Sequence, residues 1–265
     1  MRLGMVSPID NAAAMREAGF DYLEVQIQKV LAGAVDEAQW RAPGDVALPM
    51  EAGAALLPGD LPVVGPGRDL DALRRYMQRT AERAGRLGIR VLVFGSGAAR
   101  RRPDDVTPEQ ATRQIVEFCR LAGDLCGEHG VTLAVEHLRR SETNTINTLA
   151  QLRQVLEKVN HPHVAALLDS YHYGVEADNA AEDLLALAGR IAHVHLAEPS
   201  GRHEPGQPAD AEQAFDFDDF FSLLRKAGYD GRFSIEGRLT GRIEQVAPPC
   251  LSMLRQLWGA AGAAV

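Results

Sequence analysis

Short aliphatic runs recur along the chain, and between them lie longer stretches in which apolar residues return every three or four positions. The runs fall near Leu3–Val6, Tyr22–Gln26, Met50–Ala54, Val91–Phe94, Val131–Glu136, Val164–Asp169, His193–Leu196 and Phe233–Glu236. Their length and β-branched content predict strands, and the longer stretches predict helices. The helices have marked ends: Asp10–Ala18 stops at Gly19, Asp69–Leu87 at Gly88 and Asp216–Ala227 at Gly228. A long helix opens with Thr107 as N-cap and Pro108 in the first helical position, and runs to His129 before Gly130. Each of these glycines stands just ahead of a strand, where a left-handed C-cap turns helix into strand. Such alternation from end to end predicts an α/β chain, and eight strand units predict a closed (β/α)8 TIM barrel.

The interval from Val30 to Gly67 departs from this rhythm, because Pro43, Pro49, Pro58, Pro62 and Pro66 break any long element. It is too short and too apolar to separate domains, so it reads as a loop-rich second and third unit. The length of 265 residues matches one such barrel, which typically needs about 250. A single domain over residues 1–265 is therefore expected.

Parity within the predicted strands directs the search for chemistry. Alternate side chains of a strand share a face, and in a closed barrel one face is the interior. Glu136, Asp169, His195 and Glu236 each fall at the carboxyl end of a separate run. With these four inward, the lumen also receives Thr132 and Ala134, Ala165 and Leu167, Ile191 and His193, and Arg232 and Ser234. The bulky aliphatics then largely face the helices. Three carboxylates and one imidazole would converge on one point, and carboxylates that close repel and raise one another's pKa unless a divalent cation neutralises them. An oxygen-rich set with one imidazole favours Mn²⁺, with Mg²⁺, Co²⁺ or Zn²⁺ as alternatives.

Composition narrows the class further. The chain is 46% hydrophobic and 24% charged, as an ordinary globule is, and no apolar run reaches the roughly 18 residues of a membrane span. The start, Met1 to Pro8, is broken too soon by Pro8 to be a secretory segment, so a cytoplasmic location is expected. A net charge of −8 argues against nucleic acid as partner; Arg100-Arg101-Arg102 is the one basic cluster, and it is local. Cys119, Cys126 and Cys250 are odd in number and lack C-x-x-C spacing, which predicts buried free thiols in a reducing compartment.

Other polar residues carry smaller expectations. Glu24 is placed to face the pocket mouth, with a salt bridge inside the barrel as the alternative. His193 shares the face of His195 and is expected as a satisfied interior histidine. His161 and His163 flank Pro162 at the bottom of the barrel and read as structural, while His137 and His203 fall on top-side loops, His203 being the better placed to touch a ligand. The turn Phe94-Gly95-Ser96-Gly97-Ala98-Ala99-Arg100 could cradle an anion with its amides, helped by Arg100 or Arg101, or could use glycine for shape alone.

Over nearly the whole chain these residues resemble the xylose isomerase-like TIM barrels, the sugar phosphate isomerases and epimerases. In that family strands five to eight deliver Glu, Asp, His and Glu to one divalent metal, the places held here by Glu136, Asp169, His195 and Glu236. The segment from Glu142 to Thr148 is similar to the family's Glu-x-x-x-(Ile/Leu)-Asn-Thr stretch, His172 follows Asp169 by three, and Arg202-His203-Glu204-Pro205-Gly206 is similar to the Arg-x-x-Pro-Gly element of ketose 3-epimerases. The resemblance implies that Glu136 and Glu236 are both ligands and the acid/base pair around an enediolate. It also implies that His172 and Arg202 bind substrate oxygens and that Glu142 orients a neighbouring group.

Three functions compete at this stage. The first is a metal-dependent isomerase or epimerase of a small-molecule carbohydrate, a hydroxy-ketone or keto-sugar. The second is a lyase or dehydratase of the same superfamily, which starts from the same α-proton abstraction but loses water or a leaving group. The third is a non-catalytic sugar-binding barrel, which should have lost a ligand or Arg202. A phosphodiesterase like the apurinic endonucleases needs further His and acidic ligands, and Val91–Gly95 supplies no His. The gap from His195 to Arg202 is one residue longer than in ketose 3-epimerases, so the sugar and the reacting carbon stay open. A homo-oligomer is suggested by analogy only.

Overall fold

A computed structural model describes residues 1–176 and 178–263. Its elements run β1 (Arg2–Val6), α1 (Ala12–Ala18), β2 (Tyr22–Gln26), α2 (Ile27–Val30), β3 (Met50–Ala54), α3 (Leu70–Leu87), β4 (Val91–Phe94) and α4 (Pro108–Gly127). The second half continues with β5 (Thr132–Glu136), α5 (Leu149–Val159), β6 (Val164–Asp169), α6 (Ser170–Val175), α7 (Ala181–Leu185), β7 (Ile191–Leu196), α8 (Phe217–Lys226), β8 (Arg232–Ile235) and α9 (Ile243–Ala263). Every strand pairs in parallel with the next, and β8 returns to β1 to close the barrel. This is the predicted (β/α)8 fold, with strand bounds shifted by at most two residues. Among the described residues no helix is long and apolar enough to cross a membrane.

The helix ends arise from local chemistry visible in the chain. Asp69 accepts from the N–H groups of Asp71 and Ala72, and Gly88 closes α3 at φ +81°. Thr107 and Gln110 form a reciprocal capping box on α4, so two otherwise orphaned donors are paired. That helix stops at Gly127, two residues earlier than expected, and Gly130 reverses the chain at φ +65°.

The proline-rich interval holds only β3 and the last residue of α2, as its composition predicts. Its carbonyls are gathered by Arg83 of α3, which is fully buried and donates to the oxygens of Leu31, Ala32 and Val35. The Trp40 ring covers the same guanidinium, its centroid 4.8 Å from the guanidinium carbon, and packs the loop over the helix.

Strand parity divides the apolar side chains into two groups. Leu92, Phe94, Leu133, Val135, Val194, Phe233 and Ile235 pack between sheet and helices. Tyr22, Ala52, Val91, Val93, Ala134 and Leu167 fill the lumen. Tyr22 occupies so much of the space that a Cβ on Gly4 would enter its ring, and its hydroxyl pairs with Ser234 Oγ at 2.7 Å. At the amino-terminal ends of the strands Glu51 is bonded by Arg2 and Arg232, closing the barrel floor.

One parity expectation fails. The pairing of β6 with β7 shifts register between Ala166 and Leu167, and Ile191 packs with the outer group while Ala192 meets the lumen group. An irregularity of this kind reverses the faces on one side of it, so Ile191 points away from His193 and His195. All three cysteines are free and buried, as expected.

Candidate active site

The four inward residues meet at the carboxyl-terminal mouth of the barrel. Glu136 and Asp169 are the last residues of β5 and β6, His195 is the penultimate residue of β7, and Glu236 directly follows β8. The Glu236 N–H still donates to the Leu196 carbonyl at 3.1 Å, which extends the ladder by one step and aims this side chain inward. One ligand atom from each of the four residues lies within 4.8 Å of the others. His195 Nδ1 stands 3.3 Å from Glu236 Oε2 and 3.8 Å from Glu136 Oε1. Asp169 and His195 are wholly buried, whereas the Glu236 side chain keeps 26% of its surface and faces the opening.

These groups are in electrostatic conflict. Glu136 Oε1, Asp169 Oδ2, His172 Nε2 and His195 Nδ1 are buried without a hydrogen-bond partner, although leaving such an atom unpaired costs roughly 1–3 kcal/mol. Burial, and after it the Glu236 charge, pushes the Glu136 carboxyl up. Burial and then Glu136 push Asp169 up to about 8. For His195 burial acts downward, but the Glu24 and Glu236 charges outweigh it and hold the ring well above its ordinary value. Burial opposes ionisation of Glu236 too, yet His195 and Arg202 win and its pKa falls. Orphaned oxygens and one unpartnered imidazole nitrogen, all turned to one point, fit a divalent cation such as Mn²⁺, Mg²⁺, Co²⁺ or Zn²⁺.

Gly95 explains the glycine turn after β4. A Cβ there would overlap Glu136 Oε2, and one on Gly97 would press on the Glu142 carbonyl. Both glycines serve close approach, the shape role expected as one alternative for this turn. Gly95→Ala should therefore displace Glu136 and weaken Mn²⁺ uptake at least about tenfold, the scale of disturbed ligand support. Calorimetric titration beside a thermal melt checks this, since the fold should survive.

Around the mouth stands a second set. Arg202 Nη2 lies 2.6 Å from Glu236 Oε2 and 3.7 Å from Asp169 Oδ2, while Nη1 lies 3.6 Å from Glu142 Oε1. Glu142 also accepts from Arg139 Nε at 2.8 Å. Both guanidiniums lie over the Tyr171 ring, at 4.6 Å for Arg202 and 5.1 Å for Arg139. His172 Nδ1 accepts the Arg139 N–H at 3.2 Å, so its Nε2 carries the hydrogen; that nitrogen is 3.6 Å from Asp169 Oδ2. Burial, with nearby His137 and Arg202, keeps His172 neutral. The structure thus brings Glu142, His172 and Arg202 to the four inward residues.

Arg202 adopts φ +52°, a left-handed backbone held by its surroundings. Its carbonyl accepts the Arg238 N–H at 2.7 Å, and buried Glu198 and Glu204 receive the N–H groups of Gly206 and Thr240. Sequence reading passed over Tyr171, Arg139, Glu198 and Glu204. Only Tyr171, two residues past Asp169, carried a positional signal; Arg139, Glu198 and Glu204 take partners within loops whose conformation no local pattern gives.

Glu24 takes the salt-bridge alternative and does not face the mouth. It is fully buried and pairs Oε2 with His193 Nε2 at 2.7 Å and Oε1 with His195 Nε2 at 3.0 Å. This trio also has ligand atoms within 4.8 Å of one another. Unlike the upper set, its facing atoms already satisfy each other. Burial works against the Glu24 charge, but the two imidazoles hold its pKa well below the usual range.

Several expectations need correction. Arg100 is not in the loop mouth but wholly buried, donating to the Phe94 carbonyl at 3.2 Å, and burial lowers it to about 10. Arg101 is spent on the Ser141 and Glu142 carbonyls. His137 does lie on a top-side loop, buried within it, and burial takes it down to about 3. His203 has its Nδ1 3.1 Å from the Gln207 carbonyl and bridges to Arg238, bracing the loop. His161 pairs with Asp124, the structural role expected of it.

Comparison with known proteins adds to this geometry. The family model described as xylose isomerase-like TIM barrel matches residues 12–257. An L-ribulose 3-epimerase from Methylomonas sp. (strain DH-1) is 29% identical over 156 residues, 59% of this chain and 52% of that one. The chain thus spans about half the length of that relative. A 3-dehydro-D-guloside 4-epimerase from Escherichia coli (strain K12) is 27% identical over 231 residues, 85% of each chain. A solved L-ribulose 3-epimerase superposes with a TM-score of 0.80 at 19% identity, covering 99% of this chain and 96% of the other, a likeness of fold.

Proposed function

Because the chain belongs to the xylose isomerase-like TIM barrel family, we propose that it is a divalent-metal-dependent isomerase or epimerase of a hydroxy-ketone or keto-sugar. The observation that carries this reading is the convergence of Glu136, Asp169, His195 and Glu236 with their buried, unpaired atoms. Those four would hold the ion, with Mn²⁺ the best match to the donor set. When bound, a divalent ion supplies positive charge against three carboxylates and polarises a carbonyl placed beside it.

The chain's own residues do the rest. Glu136 and Glu236 stand on either side of His195, each with an oxygen within 4 Å of its Nδ1. One removes the proton from the carbon beside the carbonyl, and the other returns a proton from the opposite face. Return to the same carbon gives an epimer; return to the neighbouring carbon gives the aldose–ketose pair. His172 donates its Nε2–H to a substrate oxygen, because its Nδ1 is occupied by the Arg139 amide. Arg202 turns from Glu236 toward the oxygen on which negative charge develops, freeing the Glu236 carboxylate to act. Glu142 fixes both guanidiniums at the mouth. The small-sugar epimerases among its relatives support a carbohydrate substrate.

Manganese-loaded protein, incubated with a panel of ketoses and keto-glycosides in heavy water, tests the reading by NMR. Deuterium beside the carbonyl without loss of water is the expected result. Clean elimination would instead establish the lyase, and binding with neither outcome would leave a passive barrel.

A further inference from the structure

We propose that Glu24 is a positioning residue that locks His195 in the tautomer able to bind the metal, with His193 as the second anchor of the lock. The inference rests on the metal reading of the upper cluster and goes one layer beneath it.

An imidazole can offer a lone pair from only one nitrogen at a time, and which one is set by the hydrogen bond of the other. His195 turns Nε2 to Glu24 Oε1 at 3.0 Å, and turns Nδ1, buried and unpaired, toward Glu136 and Glu236. Carboxylate oxygens accept and do not donate, so Nε2 must keep its hydrogen, and Nδ1 is the nitrogen that gives up its proton to present a lone pair when the ion binds. The lock has to be rigid to be useful. Glu24 is wholly buried on β2, and its second oxygen pairs with His193 Nε2 at 2.7 Å. His193 in turn stands two residues before His195 on β7, and the two rings meet edge to face at 5.1 Å between centroids. One carboxylate therefore grips the same strand twice, which fixes both the height of His195 and the rotation of its ring. The Nδ1 of His193 is unpaired as well, as the Nε2–H tautomer leaves it. A second metal does not suit this trio, because both Nε2 atoms already face carboxylate oxygens at hydrogen-bond distance.

The test is Glu24→Gln, a change of charge and acceptor capacity at constant shape. A glutamine has one acceptor oxygen for two N–H donors, so one imidazole must release or flip. Stripped full-length protein titrated with MnCl2 by calorimetry should show affinity about 10- to 100-fold below wild type, the range of outer-shell partners. Circular dichroism should report an unchanged fold. In zinc-loaded wild type, ¹⁵N NMR of the histidine rings should show His195 with Nε2 protonated and Nδ1 not, a signature altered in the variant. Unchanged Mn²⁺ affinity in folded Glu24→Gln overturns the lock and leaves the metal site standing. Absence of Mn²⁺ uptake by wild type overturns both together. Should the variant not fold, the wild-type spectrum decides alone: a hydrogen on Nδ1 of His195 sinks the proposal.

Discussion

Glu236→Gln should lose at least about a thousandfold in turnover, within the range that a positioned acid/base group contributes. The substitution keeps the shape and the approach of Arg202, which lies 2.6 Å away, but removes the oxygen charge that takes a proton. Glu236 is suited to that part by its surroundings. It is the most open of the four inward side chains, and His195 and Arg202 outweigh burial to keep it ionised at neutral pH. Deuterium incorporation beside the carbonyl should vanish together with turnover. Manganese titration of the same variant separates two causes. Affinity near wild type with exchange abolished identifies a base, whereas a parallel collapse of affinity identifies a ligand whose loss empties the site. Exchange at the wild-type rate would falsify the assignment of Glu236 altogether.

Stripping the metal should abolish activity and make stability depend steeply on pH. Without the ion, Glu136, Asp169 and His195 all hold protons more tightly in the folded chain than when unfolded. For an acid or an imidazole whose folded pKa is raised, the unfolded state releases its proton first as pH rises. The unfolded state then binds fewer protons, and stability falls through that window. The Asp169 window runs from its ordinary carboxylate range up to about 8, and the His195 contribution is lost above its ordinary value. Glu24 and Glu236 act oppositely, but their contribution is lost only as pH falls through their depressed values and is constant in this window; His137, His172 and His193, held neutral by burial, also act oppositely, but that effect fades as pH rises past the ordinary imidazole value. The metal-free protein should therefore melt at progressively lower temperature between about pH 6.5 and 8. Manganese at a hundred times its Kd adds about 2.7 kcal/mol, or roughly 5–10 °C for a domain of this size. Because it displaces the same protons, the loaded protein should show a much flatter profile. Calorimetry at pH 7 in two buffers of different ionisation enthalpy should detect proton release on Mn²⁺ binding. No release, or an apo melting temperature that climbs from pH 6.5 to 8, would refute the electrostatic account of the cluster.

Much of this was legible along the chain. Glu136, Asp169, His195 and Glu236 could be found because a strand end in a barrel has a defined address and a defined face. His172 and Arg202 follow them at short offsets and could be placed by the motifs they belong to. The burial of Arg100 and of His137 was not legible for a related reason. Sequence marks a residue as polar and adjacent to a loop, but not whether the loop folds inward over it, as it does at both. Ile191 was assigned to the wrong face because a register irregularity leaves no mark in alternation.

The amino-acid sequence by itself determined the architecture and the list of inward carboxylates, since hydrophobic period, helix caps and strand parity are local properties that neighbouring residues settle among themselves. Only the tertiary structure decided what those residues face. Glu24 of β2 reaches His193 and His195 across the lumen, Gly95 yields space to Glu136, and Arg139 and Arg202 meet on Tyr171 from separate loops. Each of these contacts joins positions tens to hundreds of residues apart, and the distances between them, which no local pattern encodes, are set only when the barrel closes.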